Sequence, residues 1–544
     1  MTNIEIAKLL RKVAAVYTIQ NDLPAGRQGN RFKIIAYENA ATTVEHSSSE
    51  IKDLWDDGKL DDLPGIGKSL LAHFHELFTT GKVQVWDNLF KKYPDKMFTL
   101  LDVPGIGPKT AYKICTQKGF VIPEKLERAI KCHEKTVKKD ARVRIDQAEA
   151  IAGQIVEYLG EGEVLGSLRR RVATIGDIDI AVKSDLVGKF IKYPHSTVIK
   201  RGPAGASISL SSGQQVDLRV AKPNQWGSML QYFTGSKYHN IKIRELAIRK
   251  KMKINEYGIS GKNFDDEKAF YNYLGLDYIE PELREDQGEI EAAQSRSLPD
   301  LVTLKDIQGD LQTHSSYDDE PSHDLGKNTM AEMLAMAKKL GYRYLAFSEH
   351  NPRKNADVFS ILKRRYNFIE QLKKSTKDIR ILNLLEVDID SSGELNLPPE
   401  SEKFLDGILV SIHSSFDLGR EPMTKRVLKG LSHPLARIFA HPTGRLLGKR
   451  EGYELDWNQI FDFCKTYNRA IEINATPNRL DLPDVLVREA VRRNVLLSLG
   501  TDAHNIDGMK NMRYGVDVAR RGWATKSDII NCWNYDKLVK WIRR

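Results

Sequence analysis

Two aspartates one residue apart, Asp177 and Asp179, stand in the run Gly176-Asp177-Ile178-Asp179-Ile180-Ala181-Val182, whose other members are small or apolar. Such a run reads as a strand. Successive strand side chains point to opposite faces, so both carboxylates project to one side while Ile178 and Ile180 point to the other. Asp217, in a second β-type run Val216-Asp217-Leu218, can complete the cluster from another strand. Three carboxylates brought together need cations. Hard oxygen donors suit Mg²⁺, and two such ions can activate an attacking hydroxyl and stabilise a leaving pyrophosphate during in-line phosphoryl transfer. Upstream, Gly166-Ser167 and Arg169-Arg170 supply a tight turn and cationic side chains suited to a triphosphate. A DxD pair alone on a strand edge is as readily an ordinary solvated pair; the third acid and the Gly-Ser turn favour the metal reading.

A chain of 544 residues exceeds one hydrophobic core and predicts roughly three or four domains. Its apolar runs fall short of the roughly 20 residues that cross a bilayer, and MTNIEIAKLLRKVAAVY alternates apolar and charged residues at helical spacing, unlike a secretory signal. Cys115, Cys132, Cys464 and Cys532 show no CxxC spacing, which suits a reducing cytoplasm. The net charge of +10 favours a polyanionic partner, and residues 239–253 concentrate Lys242, Arg244, Arg249, Lys250, Lys251 and Lys253 against the single acid Glu245. That run is either a DNA-facing surface or a solvated helix face.

Two segments echo each other: LPGIGKSLL at 63–71 and VPGIGPKTA at 103–111. Each has the form of a helix-hairpin-helix turn, which alone would as readily join two packed helices as meet DNA, while two copies in a basic chain favour DNA. Gly65 and Gly67, and Gly105 and Gly107, permit a tight turn whose backbone N–H groups approach phosphates at a helix start, where a side chain would block the approach. From about residue 143 the pattern becomes β-rich. At 281–300 the stretch PELREDQGEIEAAQSRSLPD is charged and proline-bounded, which predicts a linker and the main domain boundary. Beyond it, YLAFS, ILNLLEVDI, GILVSI, RIFAH, AIEINA and LLSLGT alternate with helical patterns, predicting parallel strands with crossover helices in a barrel-like α/β domain.

With its three aspartates and Gly-Ser turn, the first half resembles the nucleotidyltransferase superfamily. Tyr232-Phe233-Thr234-Gly235-Ser236 followed by Asn240 and Arg244 resembles the nucleotide-binding segment of the polymerase beta branch of the family X DNA polymerases. The resemblance spans residues 1 to about 275. It implies that Asp177, Asp179 and Asp217 bind Mg²⁺ or Mn²⁺, and that Gly166, Ser167, Arg170 and Gly176 contact the incoming triphosphate. It further implies that Arg219 sits beside the third carboxylate, Tyr232 and Phe233 bracket the sugar, Gly235 is part of the nucleotide-binding segment, and Asn240 and Arg244 reach the minor-groove side of the nascent pair. A monovalent cation at the hairpin turns also follows from it. The N-terminal segment resembles the family's DNA-end-binding domain, where a helix lysine attacks an abasic-site sugar. Here His73 stands at that position, and an imidazole forms no such amine adduct, so the lyase step is not expected unless Lys68 or Lys82 replaces it. Asn21–Asn30 reads as an exposed loop.

In the second half, His314, His350, His413, His441 and His504, with Asp319, Glu386 and Asp502, fall where strands end. Parallel α/β barrels gather ligands from just such positions, and mixed imidazole and carboxylate donors suit Mn²⁺, Zn²⁺ or Fe²⁺. The segments GDLQTHSSYDD, FSEHN, LLEVDID, SIHSSF, AHPTGRLLG and LGTDAH resemble, in order, the motifs of the PHP domain fused to bacterial and archaeal family X polymerases. This implies metal binding by all eight residues, a distorted (β/α)7 barrel, and 3′ to 5′ exonuclease activity. Gln312 replaces the first histidine of the HxH motif, and its amide oxygen is a weaker ligand than imidazole.

The expected molecule is multidomain, α+β then α/β: an end-binding domain at 1–85, a helical DNA-gripping segment at 86–142, a nucleotidyltransferase palm at 143–230, a nucleotide-selecting domain at 231–285, a linker at 286–305 and a PHP domain at 306–544. It is expected to fill short gaps in DNA as a monomeric repair polymerase, taking gapped or primed DNA and deoxynucleoside triphosphates and binding no membrane. Two competing readings are a DNA-anchored phosphoesterase without synthesis and a noncatalytic repair scaffold.

Overall fold

The computed structural model describes residues 3–22, 30–45, 51, 55, 60, 66–101, 106–117, 142–353 and 355–543. Two compact units divide the chain, Met1–Asp140 and Ala141–Arg544. In the first, helix α1 (Asn3–Asp22) packs along α2 (Asn30–Glu45). The apolar spacing of α1 serves two cores: Ile6, Leu10 and Val13 join Phe74 and Trp86, while Val16 and Ile19 join Met97, Phe98 and Ile106. Helices α3 (Lys68–Thr80) and α4 (Pro108–Thr116) each begin after a hairpin glycine. The loop expected at Asn21–Asn30 falls on residues 23–29, outside the described residues.

The second unit opens with a short ladder of β1 (Val143–Arg144) against β3 (Thr174–Ile175), bracketing helix α5 (Ile145–Leu159). The palm sheet follows, in the order β2 (Glu163–Val164), β4 (Asp177–Val182), β7 (Gln215–Val220), β6 (Gly205–Leu210), β5 (Ser196–Gly202). Only the central β4–β7 pair is parallel. Helix α6 (Gly166–Arg169) turns between β2 and β3, and helices α7 (Trp226–Thr234) and α8 (Lys237–Arg249) follow β7. On α8 the buried residues are His239, Ile243, Leu246 and Ala247, so the basic run does present a charged outer face, with Arg244, Arg249 and Lys251 exposed. A small hairpin, β8 (Ile254–Asn255) with β9 (Gly258–Ile259), lies beyond it.

The proline-bounded stretch departs from the sequence expectation. Residues 281–300 are folded and packed rather than a solvated tether, and the division of the chain falls at 140/141 instead. Two of their charges are consumed in buried pairs: Arg284, fully buried, donates to Glu267 at 2.7 Å, and Glu289 meets His239 Nδ1 at 2.6 Å. Ile290 and Ala293 join the core of Ile243, Leu246 and Phe270.

Seven parallel strands then run in sequential order: β10 (Gly309–Asp310), β11 (Tyr344–Phe347), β12 (Arg380–Asp388), β13 (Gly407–Ser411), β14 (Ala436–Phe439), β15 (Ala470–Asn474) and β16 (Leu496–Gly500). A parallel bridge from Thr313 to Ala503 brings the ends together into a nearly closed barrel. Residues buried on both faces explain the continuous apolar runs. Helices α9 (Asp484–Arg493) and α10 (Met512–Arg521) flank the last strands. Among the described residues no helix is long and apolar enough to cross a membrane.

Candidate active sites

The pairing of β4 with β7 sets Asp179 directly opposite Asp217, with Ile178 and Ile180 fully buried beneath. The alternation expected of the DxD run therefore holds. Gly166 has a φ of +58°, and a methyl group there would come 2.5 Å from Asp179 Oδ2. Only glycine lets the Gly-Ser turn lie so close to that carboxylate. Burial, then the charges of Asp177 and Asp217, push the Asp179 carboxyl up to about 7, while Arg219 and Arg170 pull it down. An acid so raised gains most from a divalent cation, and this environment fits the oxygen-donor site expected from the sequence. Gln215 Nε2 lies 3.3 and 3.2 Å from the two oxygens of Asp217. The trio is looser than the C-terminal centre: it is not among the groups of described residues whose donor atoms all lie within 4.8 Å of one another.

The surrounding side chains are tied to the 231–285 segment. Arg170 donates through Nε to Glu285 at 2.9 Å and through Nη1 to the carbonyl of Thr234. Arg169 grips Glu267 with two bonds of 3.0 and 2.6 Å. Arg219 lies over the Phe233 ring, 4.8 Å from its centroid, and Phe233 meets Tyr232 edge to face at 5.1 Å. Asn240 donates to the Tyr232 carbonyl at 2.7 Å and accepts from Gln231 at 2.9 Å, which holds the Tyr-Phe pair at the start of α8. Gly235, at φ +68° before a cis peptide to Ser236, allows Arg170 Nη1 to approach. Gly176 is exposed and Ser167 half-buried. Arg244 is exposed on α8, its Nε donating to the Asn240 carbonyl at 3.2 Å.

In the first unit, Gly67 and Gly107 cap α3 and α4 with nearly the same geometry, φ −87°, ψ 169° and φ −84°, ψ 170°. Over the described residues, the two segments thus enter their helices alike. Among the described residues, a Cβ at either glycine would meet nothing within 4 Å. Gly65 and Gly105 lie outside the described residues. His73 Nδ1 sits 3.3 Å from the Tyr37 hydroxyl, and burial lowers its pKa. It lines a cavity of about 810 Å³ with Tyr17, Tyr37, Gly67 and Ser69. Lys33 lines this cavity too, a residue the sequence reading passed over, whereas Lys82 is not among its lining residues.

The C-terminal centre is built around Glu386 on β12, which is fully buried. Gln312 Nε2 donates to its Oε2 at 2.9 Å, and His314 Nε2 and His350 Nδ1 lie 3.4 and 3.6 Å from the same oxygen. His441 Nε2 and His413 Nε2 face Oε1 at 2.9 and 3.5 Å. Asp502 Oδ1 is 3.1 Å from His314 Nε2, and the His314 ring stacks on those of His350 and His504, at 4.5 and 4.3 Å. Seven of the eight expected ligands are therefore brought together. Asp319 sits slightly apart, 3.9 Å from Arg365 Nε, and burial together with Glu349 pushes its carboxyl up to about 7.

Electrostatics and geometry both fit a cation site. Burial opposes charge on His314, but Asp502 and Glu386 push it up to about 10; burial brings His350 down to about 3. Burial also opposes ionisation of Glu386, yet the surrounding histidines hold it well below the usual carboxylate range. Among the described residues, Gln312 Oε1, both oxygens of Asp319, the Nδ1 atoms of His314, His350 and His441, and His504 Nε2 are buried without a hydrogen-bond partner. So many orphaned polar atoms around one centre are what ligands without their ions look like. His441 and Asp502 also adopt left-handed φ values of 28° and 50°, strain of the kind that collects at functional sites. Gly500 is required close by, since a methyl there would strike Glu472 Oε1 at 2.1 Å.

Sequence reasoning missed His323 and Asp388. Asp388 accepts from His413 Nδ1 at 2.6 Å and from His323 Nε2 at 2.9 Å, turning the opposite nitrogen of His413 toward Glu386. This is the carboxylate-histidine arrangement that orients metal ligands. The signal for Asp388 was present, because it lies two residues from Glu386 on the same strand face; His323 sits in a polar loop with no such mark.

The sequence matches the helix-hairpin-helix domain family over residues 1–83, the DNA polymerase beta thumb over 229–285 and the PHP domain over 310–476. It is 31% identical, over 582 aligned residues covering 99% of each chain, to the DNA polymerase/3′-5′ exonuclease PolX of Bacillus subtilis. Over 314 residues, 47% of this chain and 58% of the relative, it is 26% identical to DNA polymerase lambda of Arabidopsis thaliana. A probable phosphatase of Clostridium acetobutylicum is 25% identical over 229 residues, 39% of this chain and 87% of the relative.

Proposed function

The chain belongs to the PolX-type DNA polymerases of family X, and from that membership we propose that it fills short gaps in DNA during base excision repair while its C-terminal barrel trims 3′ ends. It is a DNA polymerase with a 3′ to 5′ exonuclease centre, and its hairpin elements and polymerase kinship make DNA its partner. The reading is carried by Asp179 standing opposite Asp217 across β4 and β7, with Gly166 pressed against it.

Asp177, Asp179 and Asp217 hold Mg²⁺ or Mn²⁺, which supply activation of the primer 3′ hydroxyl and charge neutralisation on the departing pyrophosphate. The chain's own residues do the rest. Gly166, Ser167, Gly176 and Arg170 cradle the triphosphate, and Tyr232 and Phe233 wall the sugar so that a 2′ hydroxyl is excluded. Asn240 fixes that wall, and with Arg244 it meets the minor-groove edge of the new pair. The backbone at Gly65, Gly67, Gly105 and Gly107, with a monovalent cation, grips DNA phosphates without reading bases. In the barrel, His314, Asp319, His350, Glu386, His413, His441, Asp502 and His504 hold Mn²⁺, Zn²⁺ or Fe²⁺, whose contribution is an acidified water and a polarised phosphodiester. Asp388 orients His413. The scattered thiols, of which Cys115, Cys464 and Cys532 are free, accord with a reducing cytoplasm.

A 5′-labelled gapped duplex tests both halves. The parent protein extends the primer when deoxynucleotides are present and shortens it when they are not. Asp217→Ala is expected to abolish extension and spare shortening, and Glu386→Gln to do the reverse. Extension that survives Asp217→Ala would refute the assignment.

A further inference from the structure

Helix α10 belongs to the barrel domain, yet one of its faces lies along the polymerase half. Its residues 513, 514, 517, 520 and 521 recur at helical spacing, and each carries a polar contact across the domain boundary. The Tyr514 hydroxyl donates to Glu149 Oε2 at 2.9 Å, Arg513 Nη2 meets the same carboxylate at 2.7 Å, and Asp517 lies 3.9 Å from Arg171 Nε. Arg520 donates to Glu282 at 2.8 Å and to the Val302 carbonyl at 3.1 Å.

Arg521 reaches the nucleotide site itself. Through Nε and Nη2 it is bolted to Asp484 Oδ2, at the start of α9, at 2.7 and 2.6 Å. Its Nη1 donates to two acceptors on the polymerase side, the carbonyl of Arg170 at 2.7 Å and Glu285 Oε1 at 2.9 Å. That same Glu285 oxygen accepts from Arg170 Nε at 2.9 Å. Arg170 is therefore fixed at both ends: its main-chain carbonyl by Arg521 directly, its guanidinium by a carboxylate that Arg521 shares. The carbonyl follows directly on α6, the turn of Gly166–Arg169, where helix-end acceptors lack intrahelical partners and an arginine can satisfy them.

We propose that Arg521, supplied by the barrel domain, is a positioning residue for nucleotide binding in the polymerase site. It holds the Gly-Ser turn in register and moderates the grip of Glu285 on Arg170, so that the guanidinium is free to meet a triphosphate. Without it, Glu285 is neutralised by Arg170 alone, and an incoming triphosphate must compete with a tighter ion pair. The inference rests on the assignment of Arg170 to the triphosphate.

The test is steady-state filling of a one-nucleotide gap by the full-length protein in Mg²⁺, with 3′ shortening measured separately. Arg521→Ala is expected to raise KM for the deoxynucleotide about tenfold, with kcat and the shortening rate each within about twofold of the parent. Arg521→Lys keeps the charge beside Asp484 but loses the planar fork, and is expected to raise KM about threefold. An unchanged KM in both variants overturns the proposal, as does a parallel fall of extension and shortening that marks a merely structural role. Should Arg521→Ala fail to fold, Arg521→Lys alone decides, a parental KM overturning it. Arg170→Ala separates the premise from the inference. If KM is unmoved in Arg170→Ala, the triphosphate assignment has failed; if it rises there and stays parental in the Arg521 variants, the positioning role has failed.

Discussion

Glu386 Oε2 accepts a hydrogen bond from Gln312 at 2.9 Å while also facing His314 and His350. An amide nitrogen there ties up a carboxylate oxygen by donating to it, whereas a neutral imidazole offers a lone pair to an ion and leaves that oxygen free. Gln312→His is therefore expected to raise both the retained transition metal, counted by elemental analysis, and the rate of 3′ shortening, by roughly tenfold or more. If metal content and rate both stay at the parental level, Gln312 is not what limits the centre. At the other site the controlling residue is Asp179, whose carboxyl sits at about 7 rather than in the ordinary range. Its native pKa is raised, so the native state holds the extra proton between pH of about 4 and about 7. Its contribution to stability is full below that window and is lost as pH rises through it. Divalent ions bind the ionised form, so protons compete with Mg²⁺ below pH 7. The Mg²⁺ concentration that half-saturates extension should fall about fivefold from pH 6 to 7 and less than about twofold from pH 7 to 8. A midpoint indifferent to pH over that span would remove Asp179 from the ion site.

At the scale of elements, the twin hairpins separate folding from function. Gly67 and Gly107 have negative φ, and among the described residues a methyl group there would meet nothing within 4 Å, so no described neighbour demands glycine at either position. In Gly67→Ala and Gly107→Ala the gain from a less flexible unfolded chain offsets the poorer helix cap, and stability should move by no more than about 0.5 kcal/mol in a denaturant titration. Affinity for gapped DNA should nonetheless drop several-fold in each, because the added methyl stands between backbone N–H and phosphate. Undiminished binding in both would show that these turns only join helices. The helix starts after Gly67 and Gly107 and the barrel strands were legible because glycine spacing, alternation and apolar runs are local signals, and the histidines and acids at strand ends inherited that legibility. What escaped was long-range pairing. The charges of 281–300 look hydrated in sequence, since the partners that bury Arg284 and Glu289 stand at Glu267 and His239, in other elements. Arg521 was invisible for the same reason: its acceptors at 170 and 285 lie more than 230 residues away in the chain.

Across the whole molecule, palm and barrel are not beads on a string. One contiguous apolar cluster runs from Ile155, Ile178 and Val216 of the palm to Phe347, Val410 and Leu497 of the barrel, and the polar face of α10 adds Glu149, Arg171, Glu282 and Glu285 to the contact. Removing the barrel therefore strips the polymerase half of buried area, takes Arg520 from Glu282, and leaves Glu149 only Arg171 and Glu285 only Arg170 as partners, each a destabilising change. Residues 1–140, by contrast, form a unit with their own cores. Two truncations should behave oppositely in calorimetry. A fragment of residues 141–544 is expected to melt within about 3 °C of the corresponding transition in the full chain, while binding gapped DNA less tightly. A fragment ending at residue 305 should lose several kcal/mol in its palm, which for a domain of this size lowers the melting temperature by roughly 10 °C or more. If that shorter fragment instead melts with the full chain and extends primers at the parental KM, the barrel is a passenger on the polymerase, and the contacts along α10 carry no weight in its stability or its nucleotide site.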